Sequence, residues 1–137
     1  MASADPQSIR ESNSRRILRW LIAAGFILAG ANHFRSTAFY ESIIPPALPS
    51  PYLLVVISGI CEMAGAIGLL IPQLRRWAGW GLIALLIAVF PANIYMAIAP
   101  DSIGASSFSH WLLWVRLPLQ AVFIWAVWLA SRNAKSA

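Results

Sequence analysis

Four apolar stretches, each close to the thickness of a bilayer, decide what this 137-residue chain can become. They run at about 17–32, 52–71, 77–98 and 111–130. A helix needs roughly 20 predominantly apolar residues to cross about 30 Å of hydrocarbon. Lipid offers no partner for backbone N–H and C=O groups, so each stretch must satisfy them internally as a helix. Composition closes the alternatives: 59% of residues are hydrophobic and 11% charged, against about a quarter charged in a soluble domain. Such a chain lacks the polar surface to enclose a small soluble core, and it is too apolar to stay disordered. Its single cysteine leaves no disulfide framework. The expectation is an all-α membrane protein, a four-transmembrane-helix bundle without internal repeats.

Charge sets the expected orientation. Arg10, Arg15, Arg16 and Arg19 lie before or at the start of the first stretch, Arg75 and Arg76 join the second to the third, and Arg132 and Lys135 follow the fourth. On a four-span path all eight fall on one side, facing Arg35, Glu41 and Asp101 on the other, so both termini are expected to be cytoplasmic. Trp20, Trp77, Trp80, Trp125 and Trp128 fall near that side and Trp111 and Trp114 near the other, as interfacial belts require. The implied location is a bacterial-type inner membrane, crossed several times. Residues 1–14 read as a flexible cytoplasmic tail, 15–131 as the membrane domain and 132–137 as a second cytoplasmic tail. The net charge of +5 matches topology and anionic headgroups, so nucleic acid is not needed as a partner. A competing reading takes Ser14-Arg15-Arg16 and Ala29-Gly30-Ala31 as the start and cleavage site of an export signal. It would leave three spans.

Pro45, Pro46, Pro49 and Pro51 stiffen the first loop, and Thr37 to Ile44 reads as a short interfacial helix with Phe39, Ile43 and Ile44 towards lipid. Ala64 with Gly68, and Ala84 with Ala88, are small-residue pairs of the kind that let helices approach.

Six polar side chains stand out against this background: Asn32, His33, Glu62, Asn93, Arg116 and Gln120. A charge at the centre of a span costs roughly 2.5–3.5 kcal/mol on insertion scales, so such residues face the bundle interior and have partners. At 1.5 Å per residue Glu62 lies about 15 Å down its helix from the outer end at Tyr52, near the midplane, and Asn93 and Arg116 about 7–8 Å from the outer ends of theirs. The set therefore occupies the leaflet away from the basic side. Glu62 and Arg116 are expected to pair, either as a clasp between the second and fourth spans or as part of a pocket in which Glu62 accepts protons or contacts a ligand. His33 suits a relay or an interfacial cap, Asn93 a cavity wall beside Pro91 or a bond to a neighbouring helix, and Gln120 lies one turn from Arg116 on the same face. Cys61 points about 100° away from Glu62 and reads as an apolar filler. His110 has no partner at metal-ligand spacing, and no CxxCH, phosphate loop or nucleophile elbow is present, so neither metal nor haem is expected.

Gly30-Ala31-Asn32-His33-Phe34, Ile44-Pro45, Gly59-Ile60-Cys61-Glu62 with Gly65, Leu69-Leu70-Ile71-Pro72 and Phe90-Pro91-Ala92-Asn93, in this order over roughly residues 15 to 130, resemble DoxX-type membrane proteins. The resemblance implies a four-helix inner-membrane protein with its first helix retained, and it matches His33, Glu62 and Asn93 to recurrent polar positions. It also implies association with quinone-linked or oxidative-stress membrane complexes. The expected function is an accessory subunit without catalytic activity of its own. Its polar pocket, lined by His33, Glu62, Asn93 and Arg116, would bind a quinone-like or lipid-like molecule for a membrane redox partner. An assembly module for other membrane proteins and a small oligomeric transporter are the alternatives, and a homodimer is a natural state for so small a bundle.

Overall fold

In the computed structural model, residues 11–103 and 107–132 are described. Arg10, Lys135 and residues 1–10 and 133–137 of the two expected tails lie outside the described residues. The elements are α1 (Asn13–Arg35), α2 (Thr37–Ser42), α3 (Pro51–Leu70), α4 (Arg75–Ile98), a 3-10 helix (Pro100–Ile103) and α5 (Ser107–Ser131), with no strand among the described residues. Four of these helices are long and apolar enough to cross a membrane. The chain is an all-α membrane protein with four spans.

Helix ends follow local chemistry more than hydropathy. α1 starts four residues before the expected apolar stretch and ends three residues after it, because backbone hydrogen bonds continue where side chains turn polar. Pro51 opens α3 after Ser50, which adopts the left-handed conformation at φ 51°. Proline suits that first position, since its missing N–H would have had no partner in the helix. At the other end Ile71 is extended, at φ −90° and ψ 114°, as the residue before Pro72 must be.

The four long helices form a ring in which α1 packs on α3, α3 on α4, α4 on α5 and α5 back on α1. Neighbours along the chain are antiparallel neighbours in space, and α3 and α5 stand diagonally opposite. Every fourth or third residue of α3 is buried, through Val55, Gly59, Glu62, Ala66 and Leu69, which is the period of one helical face. Leu69, Leu82, Ile83 and Val127 form the core, with Ile22, Phe26, Leu86 and Ile124 packed against it. All seven tryptophans are exposed on the outside of the ring.

Two glycines bring the backbones of α1 and α3 together. A Cβ at Gly30 would lie 2.8 Å from the Gly59 carbonyl oxygen, and one at Gly59 would lie 3.1 Å from the Gly30 oxygen. Of the small-residue pairs expected to draw helices together, only Gly68 does so, against Ala78; Ala64, Ala84 and Ala88 face outward. Spacing identifies a shared face but leaves open which face is turned inward. Two further expectations are corrected. Ile43 is 5% exposed and packs inward instead of towards lipid, since α2 ends at Ser42 and the chain turns there. Cys61 fills no gap but is exposed.

Arg19, expected among the cations outside the spans, is inside α1 and 2% exposed. Its Nε donates to the Ala130 carbonyl (2.8 Å), its Nη1 to Glu11 Oε2 (3.0 Å), and its Nη2 to Glu11 Oε1. Ala130 is in the last turn of α5, where carbonyls have no partner of their own helix. A cation there also favours the helix dipole. One guanidinium thus ties α1 to α5 at the basic end of the bundle.

Candidate functional site

Opposite that tie, α1 and α5 stand apart around a cavity of about 620 Å³. Gly25, Phe26 and Ala29 of α1 line one side, and Arg116, Gln120 and Phe123 of α5 the other. Glu62 of α3 and Leu86, Val89 and Asn93 of α4 form the back. On the two flanking helices Leu21, Gly25, Ala29, Arg116 and Phe123 are exposed, whereas Glu62 and Asn93 are buried. The cavity therefore opens sideways between α1 and α5, towards the hydrocarbon of a surrounding bilayer.

Glu62 reaches this wall through the close α1–α3 crossing. The same contact places His33 of α1 behind it, with His33 Nε2 at 3.6 Å from Glu62 Oε1. The other imidazole nitrogen, Nδ1, is 3.1 Å from the Val55 carbonyl and 3.0 Å from Ser58 Oγ. The Tyr40 ring covers the imidazole with centroids 3.9 Å apart. Glu62 Oε2 is buried without a hydrogen-bond partner among the described residues. Leaving such an atom unmatched costs about 1–3 kcal/mol, more for a charged group.

Arg116 does not pair with Glu62. It is exposed, lines the same cavity, and makes no ion pair or hydrogen bond among the described residues. The expected pair fails because α3 and α5 are diagonal in the ring, with the cavity between their polar side chains. Asn93 and Gln120 do meet: Asn93 Nδ2 donates to Gln120 Oε1 (2.7 Å), and Gln120 Nε2 donates to the Leu86 carbonyl. That carbonyl is one residue before Ile87, whose usual N–H donor is removed by Pro91 inside α4. The amides form a clasp at the proline and line the cavity as well.

Two predicted members lie elsewhere. Asn32 is exposed and donates to the Tyr40 hydroxyl at 3.2 Å, and His33 stands behind Glu62, off the cavity wall. Sequence reasoning missed Ser58 and Tyr40. Ser58 is four residues before Glu62 and so shares its face of α3; Tyr40 carries no such signal, because a loop turn folds it over His33. Among the described residues no three His, Cys, Asp or Glu side chains gather where they could hold a metal ion.

The family described as a domain of unknown function (DUF8561) matches residues 22–131, which contain every cavity-lining residue but Leu21. No curated protein and no solved structure matches the chain.

Proposed function

Because the chain belongs to the DUF8561 family, whose description carries no function, we propose one from the site: the cavity between α1 and α5 binds a quinone-like or lipid-like amphiphile. The observation that carries this is the pair of unmatched polar groups, buried Glu62 Oε2 at the back and Arg116 at the opening. They lie in a cavity whose remaining walls are largely apolar. Ligand sites have this composition, with mostly apolar walls and a few converging polar groups in about 300–1,000 Å³. An amphiphile already dissolved in the bilayer would enter sideways, tail along Phe26 and Phe123, and present its head to Arg116 and Glu62.

The protein acts in this reading as an accessory subunit that holds the molecule for a membrane redox or stress-related complex. Its resemblance to DoxX-type proteins supports that assignment. It sits in a bacterial-type inner membrane with both termini cytoplasmic, which places the opening in the outer leaflet. The distribution of Arg75, Arg76 and Arg132 supports that orientation.

Gly25→Phe tests the binding function. A Cβ at Gly25 meets nothing within 4 Å, and the residue lines the cavity, so the ring would fill the space without displacing a helix. Native mass spectrometry of gently extracted protein is expected to show a retained quinone or lipid on the wild type and its loss from the variant. Equal retention by both would refute the proposal.

A further inference from the structure

The hydrogen-bond pattern around His33 constrains what the cavity can hold. A carbonyl oxygen only accepts, and Ser58 Oγ already donates to the Val55 oxygen at 3.0 Å, so the hydrogen on His33 Nδ1 completes the contact to that oxygen. In a neutral imidazole this leaves a bare lone pair on Nε2, turned towards Glu62 Oε1 at 3.6 Å. A bare carboxylate there would repel it, so one proton serves the two side chains. Whether that proton resides on Nε2 or on Oε1, the pair carries no net charge and Glu62 Oε2 remains an acceptor. Glu62 therefore does not neutralise Arg116 across the cavity. Among the described residues on the cavity wall, Glu62 and Arg116 are the only charged types, and together they leave it with one positive charge.

We infer that the amphiphile held here is an anionic phospholipid whose head also bears a hydroxyl donor, of the phosphatidylglycerol type. The inference rests on the binding function proposed above and names its ligand. The phosphate oxygens meet Arg116, whose planar fork suits them, and a glycerol hydroxyl donates to Glu62 Oε2. The acyl chains leave between α1 and α5 along Leu21 and Phe123, both exposed. A zwitterionic head lacks the net charge, a simple anion lacks the donor, and a quinone offers only acceptors.

Vesicles of phosphatidylcholine containing phosphatidylglycerol, phosphatidylmethanol or a quinone provide the test, with native mass spectrometry of the full chain reading what is retained. Phosphatidylmethanol has the anion without the hydroxyl. The wild type is expected to retain phosphatidylglycerol about tenfold over phosphatidylmethanol, from one hydrogen bond to an otherwise unmatched buried group, and both over phosphatidylcholine. Glu62→Met is expected to abolish the first preference and keep the second. Arg116→Gln, a change at an exposed position, is expected to abolish the second and keep the first. Equal retention of the two anionic lipids by the wild type would overturn the inference. Preferential retention of the quinone would overturn it too, while leaving the binding function standing. Retention of no amphiphile would overturn both.

Discussion

Replacing Gly30 with alanine inserts one methyl where α1 and α3 touch, and Gly25 on the same helix supplies the control. The new Cβ at Gly30 would lie 2.7 Å from Met63 Cγ, 2.8 Å from the Gly59 carbonyl oxygen and 3.3 Å from Glu62 Cβ. Met63 can swing aside, but the Gly59 oxygen belongs to the α3 backbone, so the helices must separate. Over-packing of this kind costs about 1–3 kcal/mol. Gly→Ala inside a helix also gains up to about 1 kcal/mol of propensity, and that gain is the same at Gly25, where the added Cβ meets nothing within 4 Å. The difference between the two variants isolates the clash, and Gly30→Ala is expected to be about 1–3 kcal/mol less stable than Gly25→Ala. Unfolding of both in the same detergent or bicelle, followed to a two-state midpoint, measures it. Separating the helices also draws His33 away from Glu62, so Gly30→Ala is expected to lose the bound amphiphile as well. Equal stability of the two alanine variants would refute the assignment of the Gly30–Gly59 contact as the crossing that sets the site.

Arg19→Lys keeps the charge but cannot reach both Glu11 oxygens and the Ala130 carbonyl together, and is expected to cost about 1.5–3 kcal/mol in the same unfolding assay. Gln120→Leu leaves the Leu86 carbonyl and Asn93 Nδ2 without their partners; each buried group so stranded costs about 1–3 kcal/mol, a loss the same unfolding assay should read. The hydrogen bond from Arg19 holds the Glu11 carboxyl below its ordinary 4.5, helped by the charges of Arg19, Arg75 and Arg15 against the opposing effect of burial. A carboxyl lowered in the folded state contributes stability that is complete above its unfolded value and lost as pH falls through the folded one. The unfolding midpoint is therefore expected to drop below about pH 4.5 in the wild type, and Glu11→Gln should flatten that drop. A midpoint with the same acid dependence in both proteins would remove Glu11 from the account.

Much of the fold was legible because a bilayer simplifies the problem. Each of the four apolar stretches could only be a helix, and all four appear, with ends displaced where charged residues prolong the hydrogen-bonding pattern. The inventory of unusual side chains was equally readable, since Glu62, Asn93, Arg116 and Gln120 are rare at such positions and all four line one cavity. Their pairing was not. Depth along a helix is a one-dimensional quantity, and it put Arg116 within apparent reach of Glu62. It carries no information about the order of helices around the ring. His33 was visible as a polar residue near a helix end, yet its distance to Glu62 follows from a glycine contact between two helices.

By itself, then, the sequence determined that the chain spans a membrane four times as helices and which side chains have no cause to be there unless partnered, because lipid dictates both from composition and spacing alone. Only the tertiary structure decided who partners whom. The Gly30–Gly59 approach gives Glu62 to His33, and the diagonal placement of α3 and α5 keeps it from Arg116. The separation of α1 from α5 opens the space between them. Those outcomes depend on which helix faces meet and in what order, and that is a property of packing in three dimensions.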